Sequence, residues 1–289
     1  MELSLSLGYL LSMYGSDRLR CLEDAACLCK GAGFDFVDYS PICQSDAWEA
    51  DVCREREILA RAGLAVEQTH APFNRYGFYS AEEFPERFRR LFVASRILGA
   101  KAIVVHADEY RPIGRYDVRE ALAFTYEFLA PYVEYAAKHD LIVAVENLCE
   151  DFYPAYPQID GKSRFTSRLE ELLGVIERFH SPAVGCCWDF GHANLAFGRE
   201  GMGAALAQAL PYVCCTHVHD NYQGRDLHLP PFFGEIDWAR QMALLKQGGY
   251  AGKLSFEMVY GVFPETLLPM WLQNLRATGE ALKAMFAGA

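Results

Sequence analysis

Short β-branched or apolar runs alternate with longer amphipathic stretches from one end of the chain to the other, and this rhythm constrains the fold more than any other feature. The strand-like runs are Leu3–Leu7, Phe36–Tyr39, Val66–His70, Ala102–His106, Ile142–Glu146, Val184–Asp189, Val213–His219 and Lys253–Glu257. Helical patterns cover Arg18–Ala32, Asp46–Ala62, Ala81–Leu98, Tyr116–His139, Ser167–Phe179, Met202–Leu210, Trp238–Gln247 and Pro264–Ala284. Strict alternation of this kind forces parallel strands joined by helical crossovers, and eight such units close into a barrel. The pattern predicts an α/β protein, a (β/α)8 TIM barrel forming a single domain over residues 1–289. Glycines 33, 63, 99 and 249 fall just before strands two, three, four and eight, where helix C-caps belong.

Composition narrows the functional classes. The net charge of −11 offers no general attraction to nucleic acid or an anionic membrane surface, so neither is an expected partner. No run approaches the roughly 20 apolar residues that span a bilayer, and residues 1–10 lack the basic start of a signal peptide. The ten cysteines stand singly, as Cys27-x-Cys29, or as the adjacent pairs Cys186-Cys187 and Cys214-Cys215, without any C-x-x-C. Neighbouring strand residues face opposite sides, so the pairs read as core thiols, and a cytoplasmic location with reduced cysteines is expected.

The residues that end the strands carry the chemistry. Strand three closes on His70, strand four on His106, strand five on Glu146 and strand six on Asp189. Strand seven ends in His217-Val-His219-Asp220, and strand eight in Glu257. A lone histidine closing a strand is ordinarily a hydrogen-bonded structural residue. Six metal-ligand residue types at equivalent positions gather on the C-terminal face of a barrel, where active sites of this architecture sit. Imidazole and carboxylate donors converging there suit Mn²⁺, Co²⁺, Mg²⁺ or Zn²⁺. Just beyond, Asp189-Phe-Gly-His192 puts a histidine at the start of the following loop, and Asp226 and His228 can reach back over the mouth as additional ligands. The long connection 147–166 carries Phe152, Tyr153, Tyr156 and Phe165, facing substrate or capping the core. Arg111, Arg115, Lys162 and Arg164 lie in mouth loops and are candidate phosphate contacts.

Three segments together resemble the sugar phosphate isomerase/epimerase superfamily with its xylose-isomerase-like barrel. They are Val145-Glu146-Asn147, Val184-Gly-Cys-Cys-Trp-Asp189-Phe-Gly-His192-Ala193 and His217-Val-His-Asp220-Asn221. Gly224-Arg225-Asp226-Leu-His228-Leu-Pro-Pro, Gly234-Glu-Ile-Asp237-Trp238 and Leu-Ser-Phe-Glu257 extend the similarity over the whole chain. The resemblance implies a metal held by Glu146, Asp189, His217 and Glu257, with His219 the alternate to His217. It also implies that Glu146 and Glu257 act as acid and base, and that His70, His106, His192 and Arg225 contact the substrate. The chain departs from the pattern at Pro231-Phe232-Phe233-Gly234, where such loops read Pro-Gly-Glu-Gly.

The expectation is a divalent-metal-dependent isomerase or epimerase that abstracts a proton next to a carbonyl of a small carbohydrate or keto-sugar. A lyase or dehydratase acting on a keto-sugar or cyclitol would share the first half of that reaction. The endonuclease IV group, zinc enzymes that cut at abasic sites, offers a third reading. His70, His106, Glu146, Asp189, His192, His217, Asp226, His228 and Glu257 match its zinc ligands in order and type. Self-association into a homo-oligomer is left open.

Overall fold

The computed structural model describes residues 1–11, 18–75, 77–110, 115–150, 162, 164–259 and 263–289. Eight parallel strands close a barrel: β1 (Leu3–Ser6), β2 (Phe36–Asp38), β3 (Ala65–His70), β4 (Ala102–Val105), β5 (Ile142–Glu146), β6 (Val184–Asp189), β7 (Val213–Val218) and β10 (Leu254–Phe256). Around the barrel the order is β1-β10-β7-β6-β5-β4-β3-β2, with β1 joining both ends through Leu5↔Phe256 and Leu5↔Val37. Every strand predicted from the sequence is present, with its bounds shifted by a few residues at most.

The helices pack outside: α2 (Arg18–Gly31), α3 (Trp48–Arg61), α4 (Glu83–Leu98), α5 (Val118–Lys138), α6 (Leu169–Phe179), α7 (Phe190–Ala209), α8 (Trp238–Gln247) and α9 (Leu268–Gly288), after a single turn α1 (Gly8–Leu11). The glycine punctuation works as expected: Gly99 caps α4 with φ 77°, a left-handed conformation that costs other residues strain. Asp117 starts α5 by accepting the N–H groups of Arg119 and Glu120.

Two local features differ from the sequence reading. α7 begins at Phe190, directly after β6, because Asp189 is its N-cap and accepts the His192 N–H at 2.7 Å. His192 therefore sits in the first turn of a helix rather than in a loop, and the predicted Met202–Leu210 helix is the part beyond a kink at Gly198. The segment after β7 also forms a hairpin absent from the sequence reading: Asp220–Tyr222 (β8) and Arg225–Leu229 (β9) pair antiparallel.

Of the adjacent cysteines, Cys186 and Cys187 divide between the two faces of the sheet. Cys186 belongs to the large core between strands and helices, while Cys187 and Cys215 fill the barrel interior with Ala102, Val104 and Ala144. All ten cysteines are free thiols. Among the described residues, no helix is long and apolar enough to cross a membrane.

Closure of the barrel relies on close approach of the last helix to the first strand. A Cβ at Gly279 of α9 would lie 2.3 Å from Leu3 Cδ1 and 3.1 Å from Phe256 Cε2. Gly279→Val should lower stability by about 1–3 kcal/mol through overpacking, checked by thermal unfolding.

Candidate metal centre

Glu146 ends β5 and is the hub of the mouth. Its Oε2 lies 3.3 Å from His70 Nε2 and 3.1 Å from His106 Nε2. Its Oε1 lies 3.1 Å from His192 Nδ1 and 3.4 Å from His217 Nδ1. One carboxylate thus serves two sides, and its side chain is only 1 % exposed. Burial pushes the carboxyl up, but His217 and His106 outweigh it and hold Glu146 well below the usual range.

Around this hub the donors fall into groups whose ligand atoms lie within 4.8 Å of one another. His70, His106 and Glu146 form the first. Asp189, His217 and Glu257 form the second, with Glu146 reaching it through His217. His192, His219, Asp226 and His228 form the third, and Glu146, Asp189 and His192 link it to the second. His217 Nδ1 is 3.7 Å from Asp189 Oδ2 and 3.6 Å from Glu257 Oε2. Asp226 Oδ2 is 3.5 Å from both His192 Nε2 and His228 Nε2.

The electrostatics match a cation site. Burial disfavours charge on every group, yet partners reverse it for most: Asp189 is lowered by His192 and His219, and Asp226 by His192 and His228. His192 and His217 are raised well above the usual imidazole value, and His228 to about 9, despite burial. The mixed nitrogen and oxygen donors suit a first-row divalent ion or Mg²⁺.

A supporting set of residues fixes the donors. Asn147 clasps the end of β6, donating Nδ2–H to the Asp189 carbonyl at 2.9 Å and accepting the Asp189 N–H at 2.8 Å. His219 is fully buried, with Nε2 3.0 Å from Asp189 Oδ1 and its ring stacked on His228 at 3.9 Å. It therefore supports Asp189, while His217 is the histidine that faces Glu146, Asp189 and Glu257. Behind His106, Asp108 accepts Arg164 Nε–H at 2.8 Å. Asp220 secures the loop beyond the hairpin by accepting from Phe232 N, Ile236 N and Trp238 Nε1.

The histidines assigned to substrate, His70, His106 and His192, stand among the metal-capable donors, and Asp226 and His228 lie with them. Arg225, on β9, is exposed and takes no part in these groups. Of the phosphate candidates, Arg111 lies outside the described residues and Arg115 is exposed beside Asp117. Lys162 and Arg164 are buried, because Glu171 and Asp108 neutralise them, so they act as ties within the fold. Phe152, Tyr153 and Tyr156 lie outside the described residues, and Phe165 is core. Asp38, which approaches His217 from below, and Gln68, which holds Asp38, were missed. The signal was there, since Asp38 closes β2 just as Asp189 closes β6.

With this geometry in place, comparison with known proteins decides the family. A model of the xylose isomerase-like TIM barrel matches residues 27–285. The chain belongs to that family. The protein y4fM of Sinorhizobium fredii, described as uncharacterized, is 26% identical over 258 residues, covering 80% of this chain and 78% of the relative. Among solved structures, a xylose isomerase domain protein from Alicyclobacillus acidocaldarius superposes with a TM-score of 0.75 at 19% identity, covering 99% of each chain. An L-ribulose 3-epimerase superposes at 0.74 and 19%, covering 100% of this chain and 99% of its own. At such identities the structures share the barrel.

Gly191 lies at the start of α7, where a Cβ would fall 1.9 Å from the His219 ring. Gly191→Ala should displace that ring from Asp189, costing about 1–3 kcal/mol of stability and weakening divalent-ion binding. Calorimetric unfolding and ion titration would check both; an unchanged protein would show that the ring moves freely.

Proposed function

We propose that this barrel is a divalent-metal-dependent isomerase or epimerase that moves a proton next to a carbonyl of a small carbohydrate. The observation carrying the reading is the central group, where Glu146, Asp189, His217 and Glu257 meet at the C-terminal mouth. Likeness in fold to an L-ribulose 3-epimerase supports the substrate class. The donor set fits one divalent ion, which when bound would polarise the carbonyl and steady the charge of an enediolate.

The chain's residues then divide the work. Glu257 has the more exposed carboxylate of the two glutamates, 15 % against 1 % for Glu146. It lies 3.6 Å from both His217 Nδ1 and His228 Nδ1, and these keep it ionised and ready to take the proton. Glu146, whose oxygens both face imidazoles, would exchange the proton on the opposite face of the substrate from Glu257. A lyase uses the same abstraction and differs only in where the electrons leave.

A second reading has an observation of its own. The donors form three groups linked by Glu146 and Asp189, enough for three ions, as in the endonuclease IV resemblance. Three bridged ions would favour hydrolysis of a phosphoester. Elemental analysis of protein purified without chelator separates the readings: about one ion per chain accords with proton transfer, and three with hydrolysis. Zinc-dependent nicking of a duplex carrying an abasic site would decide for hydrolysis; the acidic net charge predicts none.

The proton step has a direct assay, exchange of substrate C–H for solvent deuterium across ketoses, ketose phosphates and keto-sugars, read by NMR. Glu257→Gln should keep metal and lose at least roughly 10²-fold in exchange rate. Undiminished exchange with metal retained would remove Glu257 as the base.

A further inference from the structure

His217 is the one histidine of the central group, and both of its ring nitrogens face carboxylates. Nδ1 looks out to Glu146, Asp189 and Glu257. Nε2 looks inward, a buried nitrogen without a hydrogen bond whose neighbouring carboxylate oxygen is Asp38 Oδ2 at 3.4 Å. β2, which carries Asp38, is not adjacent to β7: in the barrel order β1 and β10 stand between them on one side. Asp38 therefore reaches His217 through the barrel interior.

That reach is built into the sheet. Pairing of β2 with β3 is regular at Val37↔Val66 and then skips a residue, so that Asp38 stands opposite Gln68. A bulge of this kind re-aims a side chain. Gln68 Nε2 donates to the same Asp38 oxygen at 3.0 Å and approaches the Thr216 carbonyl, next to His217, at 3.5 Å. Asp38, Gln68 and His217 are 4 %, 1 % and 0 % exposed, so bulk water does not compete for these contacts.

The chemistry follows from what each atom can do. A neutral imidazole coordinates through one nitrogen and carries its proton on the other. A carboxylate oxygen facing a ring nitrogen favours the proton on that nitrogen. We infer that Asp38, held by Gln68, is a positioning residue that makes His217 a ligand through Nδ1 and fixes the plane of its ring. This rests on the metal-centre reading above. It adds a residue from β2 behind the histidine, opposite the Nδ1 side that faces Glu146, Asp189 and Glu257.

The test uses Zn²⁺ as the probe, with ¹⁵N-histidine-labelled wild type, Asp38→Asn and Asp38→Ala. Zn²⁺ affinity is read by competition with a chromophoric chelator, and the His217 ring is read by long-range ¹H–¹⁵N NMR. In the wild type, Zn²⁺ should move the Nδ1 signal while Nε2 keeps its proton. Asp38→Ala should weaken binding roughly 10–100-fold, the usual effect of losing a carboxylate behind a ligating histidine. Asp38→Asn, which keeps an oxygen facing Nε2, should lose less and keep the same tautomer. A purely structural role would lower stability without altering the tautomer. If the alanine variant does not fold, the asparagine variant and Gln68→Ala carry the same readouts. Zn²⁺ on Nε2 in the wild type, or wild-type affinity in the folded variants, would overturn the inference. Zn²⁺ moving no histidine signal of the wild type would instead sink the metal centre, and Asp38's role with it.

Discussion

A carboxylate buried without a partner costs several kcal/mol, and Glu146, 1 % exposed at the end of β5, has to be compensated where it stands. Among the described residues its ion-pair partners are four histidines, His70, His106, His192 and His217. Imidazole can supply that compensation in two ways, by carrying a proton or by sharing a metal ion. The surrounding architecture follows from this choice of partner. Strands β3, β4 and β7 and the first turn of α7 each deliver one ring to the same carboxylate, which fixes where the mouth can open and which groups face it.

The supporting residues extend the same logic outward. His106 is backed by Asp108, which Arg164 neutralises; Asp189 is backed by His219, for which Gly191 leaves room; His217 is backed by Asp38. These three donors thus have a second polar contact behind them, which restrains the ring or carboxylate. Asp220 does comparable work for the backbone, using its carboxylate to satisfy N–H groups of the loop that closes over the hairpin. The basic residues 162 and 164 are consumed in this framework rather than offered to a ligand.

Charge balance links the number of ions to the kind of substrate. The donor groups contain four carboxylates, Glu146, Asp189, Asp226 and Glu257. With one divalent ion, protonated imidazoles must balance what remains, and the mouth suits a neutral carbohydrate. With three, the positive charge exceeds the carboxylates and an anionic group is needed to complete the site. The hairpin β8–β9 brings Asp226 and His228 to the mouth.

The barrel was legible in the sequence because its signal is periodic and repeated: apolar strands and amphipathic helices alternate often enough that only one closure fits. The strand-end donors were legible for the same reason, since a polar residue closing an apolar strand of a parallel barrel has one face to occupy. Which donors meet was decided only in three dimensions. Barrel curvature lets Glu146 use its two oxygens for different histidine pairs, and makes His217 rather than His219 face the central carboxylates. The helix start at Phe190 depends on the Asp189 side chain turning back to cap it, and Asp38 reaches His217 across the barrel interior. Local pattern sets what each residue is and which face it takes, whereas a contact between strands far apart in sequence exists only once closure has brought them together.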